Sequence, residues 1–251
     1  PHIHRVFRLG MTPYFWEDYI NNQDTVILRR EPYFETSHIM KKSPLHETWH
    51  KMYDLPYDKE KDMPELFMNM MQNEMTFGWN RQRPILLLHT NGGPLMDGAA
   101  VYAWSRDMPR YVAEAIIQQF AQQYHIIQVC KHESQAIQSP AVEVVTRQMS
   151  NFELFALIRA SAKRVLIDSC LQHAAAAFRL PSTVLWIGTH PEMFGYKMHT
   201  NVVAKPPIGN VKNIDGSYFD YQLDGQFHEC PYNSPDEMFD VNEVLKAVSK
   251  V

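Results

Sequence analysis

The stretch RVLIDSCLQHAAAAFRLPSTVLWIGTHP, residues 164–191, decides the fold. Val165, Leu166 and Ile167 form a short apolar run that reads as a strand, Arg164–Ile167. Asp168 and Ser169 then stand where a helix starts. Ser169–Phe178 reads as that helix, and Ala174–Ala177 lets it lie close to a sheet. Ser169 with Gln172 three residues on matches a capping box. Thr183–Ile187 returns to a strand pattern. Strand, helix and strand in succession make a βαβ unit, whose strands run parallel in one sheet.

The same alternation spreads over residues 84–206. Pro84–His89, Ile126–Val129 and Val142–Val145 read as strands. Segment 109–124 has helical spacing at Val112, Ala115, Ile116 and Phe120. Segment 151–162 reads as a helix opened by a capping box of Ser150 and Glu153. The expected fold class is α/β, with a Rossmann-like parallel sheet covered by helices on both faces.

The flanks are less regular. Within residues 1–80, Thr25–Arg30 reads as a strand. Segment 43–55 reads as an amphipathic helix that packs Leu45, Trp49 and Met52 inward. Segment 63–79, with Met68, Met70, Met71 and Met75, reads as a packed hinge or domain face, because methionine fills irregular gaps. Residues 207–235 contain Gly209, Gly216 and Gly225 and read as loops with short strands. Asp240–Val251 reads as a closing helix with Val241, Val244, Leu245 and Val248 on one face. The expected division is a partial first domain over 1–80, a Rossmann-like domain over 81–206, and closing loops and helix over 207–251. Pro1–Gly10 reads as mid-domain sequence, so upstream residues are expected to be missing.

Composition bounds the function classes. The chain has 251 residues, 45% hydrophobic and 21% charged, which excludes disordered, collagenous and coiled-coil proteins. The net charge of -4 argues against a general nucleic-acid coat. Cys130, Cys170 and Cys230 lie far apart, with no CxxC pair, so a reducing cytoplasm is expected. No apolar run approaches the ~20 residues of a membrane span. The basic pairs Arg29-Arg30 and Lys41-Lys42 read as solvated surface charges, with contact to a phosphorylated glycan or nucleic acid as the other reading.

Ligands of open α/β sheets sit beyond the carboxyl ends of the strands, so the residues just after each strand carry most information. Thr90, Asn91, Gly92 and Gly93 follow the first strand of the regular block. They read either as a plain turn or as a loop whose N–H groups cradle an anion. Asp168 and Ser169 deliver the chain onto a helix start, where free N–H groups and the dipole favour a phosphate. His173, one turn on, can point to the same mouth. The other reading is an ordinary cap with a surface histidine. His46-Glu47-Thr48-Trp49-His50 is a literal HExxH, with Glu65 or Glu74 as a third zinc ligand in that reading. The competing reading is a plain packed helix.

Residues 164–191, with RQMSNFELFALIRASAKRVLIDS (147–169), LLLHTNGG (86–93) and YAWSRDMP (102–109), resemble the ADP-heptose:lipopolysaccharide heptosyltransferase family. That family has a two-domain GT-B fold and an Asp-Ser/Thr-Gly-x-x-His block before an alanine-rich helix. The resemblance implies that Asp168, Ser169 and His173 line the donor diphosphate and sugar. It implies that Thr90 and Asn91 touch the phosphates, that Met149 lies against the nucleoside, and that Glu133 matches a ribose-binding carboxylate. The family's glycine is Cys170 here. Its phosphate-binding lysine before the tryptophan is missing, since Tyr102 and Ala103 precede Trp104. Arg106 is the candidate substitute.

The expected function is therefore metal-independent glycosyl transfer from a nucleotide-diphosphate sugar, as substrate rather than cofactor, to a glycan or other hydroxyl. No catalytic base is named. The rivals are a nucleotide-sugar-binding module without turnover, a zinc hydrolase acting through the HExxH helix, and transfer to a nucleic-acid acceptor.

Overall fold

The computed structural model describes residues 21, 32, 35–39, 43–58, 62–79, 81–92, 95–96, 99–100, 104–146, 149–206 and 232–251. The strand expected at Thr25–Arg30, the basic pairs Arg29-Arg30 and Lys41-Lys42, Gly93 and the loops over 207–231 lie outside these residues.

Six strands form one sheet: β1 (Ile85–His89), β2 (His125–Val129), β3 (Val142–Val145), β4 (Ser161–Ile167), β5 (Thr183–Trp186) and β6 (Thr200–Val203). Their order is β3-β2-β1-β4-β5-β6, and every neighbouring pair is parallel. The chain thus steps outward from β1 in one direction, returns, and steps outward again from β4. The order reverses between β1 and β4, which makes that junction the switch point of a doubly wound sheet.

The sequence explains why both faces are covered. All five residues of β1 are buried. Successive strand side chains point to opposite faces. Leu86 and Leu88 join one apolar cluster with Val165 and Ile167 of β4. That cluster takes Val112, Ile116 and Phe120 from α2 (Arg110–Phe120) and Val244 and Val248 from α5 (Val241–Lys250). Ile85 and Leu87 join the other cluster, with Leu157 of α3 (Asn151–Ala160) and Ala174 and Ala175 of α4 (Cys170–Ala177). Each large side chain removed from water there contributes about 1.5–3 kcal/mol. The α3 start has the expected capping box between Ser150 and Glu153.

Four details differ from expectation. The α4 start is capped by Ser169 alone, whose hydroxyl accepts from the Leu171 N–H. Gln172 is fully buried and donates to the Phe194 carbonyl instead of reaching back to Ser169. In α1 (Leu45–Met52) the buried residue is Thr48, whose hydroxyl donates to the Pro44 carbonyl at 2.9 Å. Trp49 is turned outward and stacks on Tyr53, because the inward face is taken by Thr48. In the Met-rich segment, Met68 packs against the second cluster but Met70 is 81% exposed, so only part of that face is covered. The sixth strand, β6, was not expected. Trp186 of β5 pins it by donating its indole N–H to Asn201 at 2.8 Å.

Candidate functional site

The carboxyl ends of β1, β2, β3 and β4 open onto one cleft of about 650 Å³ at the switch point. Asn91, Gly92 and Arg106 come from the loop after β1, and Lys131 lies just past β2. Thr146 follows β3. Met149 and Leu154 flank the α3 start. Ser169 and Cys170 sit where β4 turns into α4. His89, the last residue of β1, also lines it.

A buried carboxylate organises the β1 side. Asp107 is fully buried and accepts from the Gly92 N–H at 2.9 Å and from the Asn91 side-chain amide at 3.2 Å. The Gly92 N–H is therefore committed, so the expected cradle of free N–H groups is not formed at that residue. Absence of a side chain at Gly92 serves another purpose. A Cβ there would stand 3.2 Å from Cδ of Arg106, so the glycine makes room for the Arg106 stem.

Ser169 and His89 form the floor. The Ser169 hydroxyl accepts from the Leu171 N–H and lies 3.2 Å from Nδ1 of His89. Burial and the nearby Lys131 charge push His89 down to about 4, against a bond to the Asn91 backbone. The ring is neutral at pH 7 and can accept.

The sequence-derived candidates divide into three groups. Asn91, Gly92, Arg106, Met149 and Ser169 share the cleft. Thr90, Asp168 and His173 stand close by in the chain but are not on its wall. Thr90 is buried, donates to Asn91 at 2.6 Å and accepts from the Gln128 amide at 2.8 Å. Asp168 is buried and accepts the Thr189 hydroxyl at 2.6 Å. His173 has its Nδ1 2.8 Å from the Tyr196 hydroxyl. Glu133 is exposed in a 3-10 turn away from the wall. Gly93 lies outside the described residues. Asp107, His89, Lys131 and Thr146 were not named beforehand. Lys131 and Thr146 follow strand ends and were reachable by that rule, whereas nothing local marks Asp107 as buried.

The HExxH side chains are otherwise engaged. His46 and His50 both pack on the Tyr57 ring, with centroids at 5.4 and 5.2 Å, and His50 is 2.7 Å from the Pro56 carbonyl. Glu47 pairs with Lys51, and Glu65 with Arg179. Among the described residues, no three His, Cys, Asp or Glu side chains converge as a metal site. The side chain of Glu74, the other third ligand of the zinc reading, lies outside the described residues.

Buried histidines give the chain a pH dependence. Burial also holds His199 down to about 4. An unfolded histidine titrates near 6.5. Between those values the unfolded chain binds more protons than the folded one, so stability falls as the pH drops. The contribution is complete above about pH 6.5 and is lost towards pH 4, by up to about 3 kcal/mol for each of His89 and His199. Urea unfolding at pH 7.5, 6 and 5 reads this, and a flat profile contradicts it.

No family model matches the sequence. No curated protein matches it either. Solved structures do resemble it. The glycosyl transferase family 9 structure from Veillonella parvula DSM 2008 aligns with a TM-score of 0.51 at 12% identity, over 82% of this chain and 59% of that one. The fold is GT-B-like. The E. coli ADP-heptose lps heptosyltransferase II aligns at 19% identity and a TM-score of 0.47, over 66% of this chain and 55% of that one. E. coli heptosyltransferase WaaC with ADP aligns at 18% identity and 0.44, over 64% and 50%. The chain thus spans little more than half the length of the GT-B structures it resembles. Among the described residues, no helix is long and apolar enough to cross a membrane.

Proposed function

We propose that this chain carries the donor-binding part of a glycosyltransferase, which moves a sugar from a nucleotide-diphosphate sugar to an acceptor hydroxyl. The observation that carries the reading is the cleft at the switch point, walled by Asn91, Gly92, Arg106, Met149 and Ser169. Residues 81–206 form the donor side in this reading, with 1–80 on the acceptor side and 207–251 closing over them. A cytoplasmic place of work keeps the exposed Cys170 reduced.

The chemistry follows from the leaving group. A nucleoside diphosphate departing from an anomeric carbon gathers negative charge on its terminal phosphate. Arg106 meets that charge with a planar donor fork that can grip two oxygens at once. Placed beforehand in a cleft, such a donor stabilises the transition state by about 3–4 kcal/mol without reorganising. Met149 and Leu154 offer an apolar surface to the nucleoside. The acceptor hydroxyl needs a base. Among the described residues, no carboxylate lines the cleft. The second reading is a module that binds nucleotide sugar at this same cleft without transferring it.

Titration calorimetry with ADP-, UDP- and GDP-sugars tests the common part. One of them should bind, and Arg106→Gln should weaken it by roughly tenfold or more. Failure of all three to bind ends the donor reading. Release of free sugar or glycosylated acceptor, followed by chromatography, separates transfer from binding alone.

A further inference from the structure

We propose that the chamber between α1 and the chain joining β5 to β6 is a second ligand site, and that it takes an uncharged molecule with a flat ring system. The inference is independent of the donor reading. The chamber holds about 890 Å³ and shares none of its described lining residues with the cleft at the switch point. The HExxH helix finds a use there, since His46 and Glu47 both line it.

The inside of the chamber is apolar and has a ring wall. Pro44, Met63, Met193 and Met198 line it, Met193 buried and the others half-buried. Methionine adjusts to the shape of what it meets, and its sulfur makes favourable contacts with aromatic rings. The Tyr196 and His46 rings lie within 19° of parallel, with centroids 6.3 Å apart. The turn that carries Tyr196 is closed tightly. The Gly195 N–H donates to the Pro191 carbonyl at 2.8 Å, and a Cβ on Gly195 would stand 2.7 Å from that oxygen. The Tyr196 hydroxyl lies 2.8 Å from Nδ1 of His173, and the His173 and His199 rings meet the Tyr196 ring edge-on at 5.5 and 5.8 Å. A wall held in place before the ligand arrives costs little ordering on binding. A flat ring gains stacking and sulfur contacts there, and an alkyl chain does not.

The charges around the chamber exclude an ionic ligand. Among the described lining residues, the carboxylates of Glu47 and Glu192 balance the cations of Arg179 and Lys197. Glu47 pairs with Lys51 at 2.6 Å, and Arg179 with Glu65 at 3.7 Å. Glu192 and Lys197 are exposed to water. Burial pushes Tyr196 up to about 12, so its phenol is neutral at pH 7. The balanced wall therefore favours neither an anion nor a cation. A charge carried among the methionines would leave its water without gaining a partner. Chambers of this size, apolar with a few polar groups, are the ordinary form of small-molecule sites.

The test uses N-phenyl-1-naphthylamine, an uncharged aromatic probe whose emission rises in apolar surroundings, with the full chain. Wild type should bind it saturably, at a single site. His46→Ala in α1 and Met198→Glu in the facing chain should each weaken it by roughly tenfold or more. Phe67→Ser, on a separate exposed patch, should leave the affinity unchanged. Thermal melting checks that each variant is folded, and His46→Ala decides the matter if the carboxylate of Met198→Glu prevents folding. Indole should displace the probe, whereas 1-octanol, with as many non-hydrogen atoms, should do so much less. Excess ADP should not displace it. The proposal is overturned if wild type shows no saturable binding, if His46→Ala binds as wild type does, or if Phe67→Ser removes the signal. It is also overturned if ADP displaces the probe, which places it in the switch-point cleft, or if octanol competes as well as indole. Calorimetry with nucleotide sugars decides the donor reading separately.

Discussion

Asp107→Asn should weaken ADP binding by roughly tenfold or more and lower the melting temperature by about 4–8 °C. The residue does not line the cleft, yet three wall residues depend on it. Its two oxygens accept from the Gly92 N–H and from the Asn91 amide. An asparagine offers one acceptor and one donor. Whichever way it turns, one of those two N–H groups faces another donor in a fully buried place. A buried group left without its partner costs about 1–3 kcal/mol. The loop can relieve this only by moving, and the Arg106 stem packs so close beside Gly92 that a Cβ there would stand 3.2 Å from its Cδ. Arg106 therefore shifts with the loop. Glu114→Gln is the control, since its pair with Arg110 is exposed and contributes little. Calorimetry below the melting transition separates the loss of binding from the loss of stability. An Asp107→Asn chain that binds ADP as wild type does would show that the loop is held by other contacts.

Local pattern made most of the sheet legible. β1 is a continuous apolar run because a central parallel strand is buried on both faces, and such runs stand out. The Ser150 and Glu153 box at α3 was legible because both partners lie within one turn. The matching pattern at Ser169 and Gln172 misled for a tertiary reason. Gln172 faces inward, where the Phe194 carbonyl, far along the chain, offers it a partner. β6 was missed because its Thr200-Asn201-Val202-Val203 is short and half polar. Its place at the sheet edge is fixed by the pairing with β5 and by the Trp186 indole.

The site was legible to the same depth. Position after a strand end is a topological fact, and Asn91, Gly92 and Ser169, read from it, share one cleft with Arg106 and Met149, which the family resemblance named. Side-chain direction is not topological. Thr189 and Tyr196, distant in sequence, supply the partners of Asp168 and His173. Gln128 does the same for Thr90 from the neighbouring strand. Reading all strand ends with equal weight would have found Lys131, which the family resemblance passed over.

Arg164→Met is expected to cost about 2–5 kcal/mol and to lower the melting temperature by about 5–15 °C. Arg164 lies in β4, the strand that delivers Ser169 to the cleft, and is 6% exposed. Among the described residues no carboxylate pairs with it. Burial pushes its guanidinium down to about 10, which leaves it charged at pH 7. Its charge is answered by backbone oxygens. Nη2 donates to the Pro181 carbonyl at 3.0 Å, Nε reaches Pro181 and Ser182 at 3.3 Å, and Nη1 donates to Ser161 and Ile158. The guanidinium thus ties β4 to the end of α3 and to the turn that enters β5. Methionine keeps the stem volume but supplies no donor, so the Pro181 and Ser161 carbonyls lose a partner away from water. Arg164→Lys recovers only part of the loss, because one ammonium cannot span carbonyls on both sides of the strand. Differential scanning calorimetry of the two variants orders them as wild type, lysine, methionine. A methionine variant melting within about 2 °C of wild type would show that the carbonyls find other donors, and that this arginine is not what holds β4 in place.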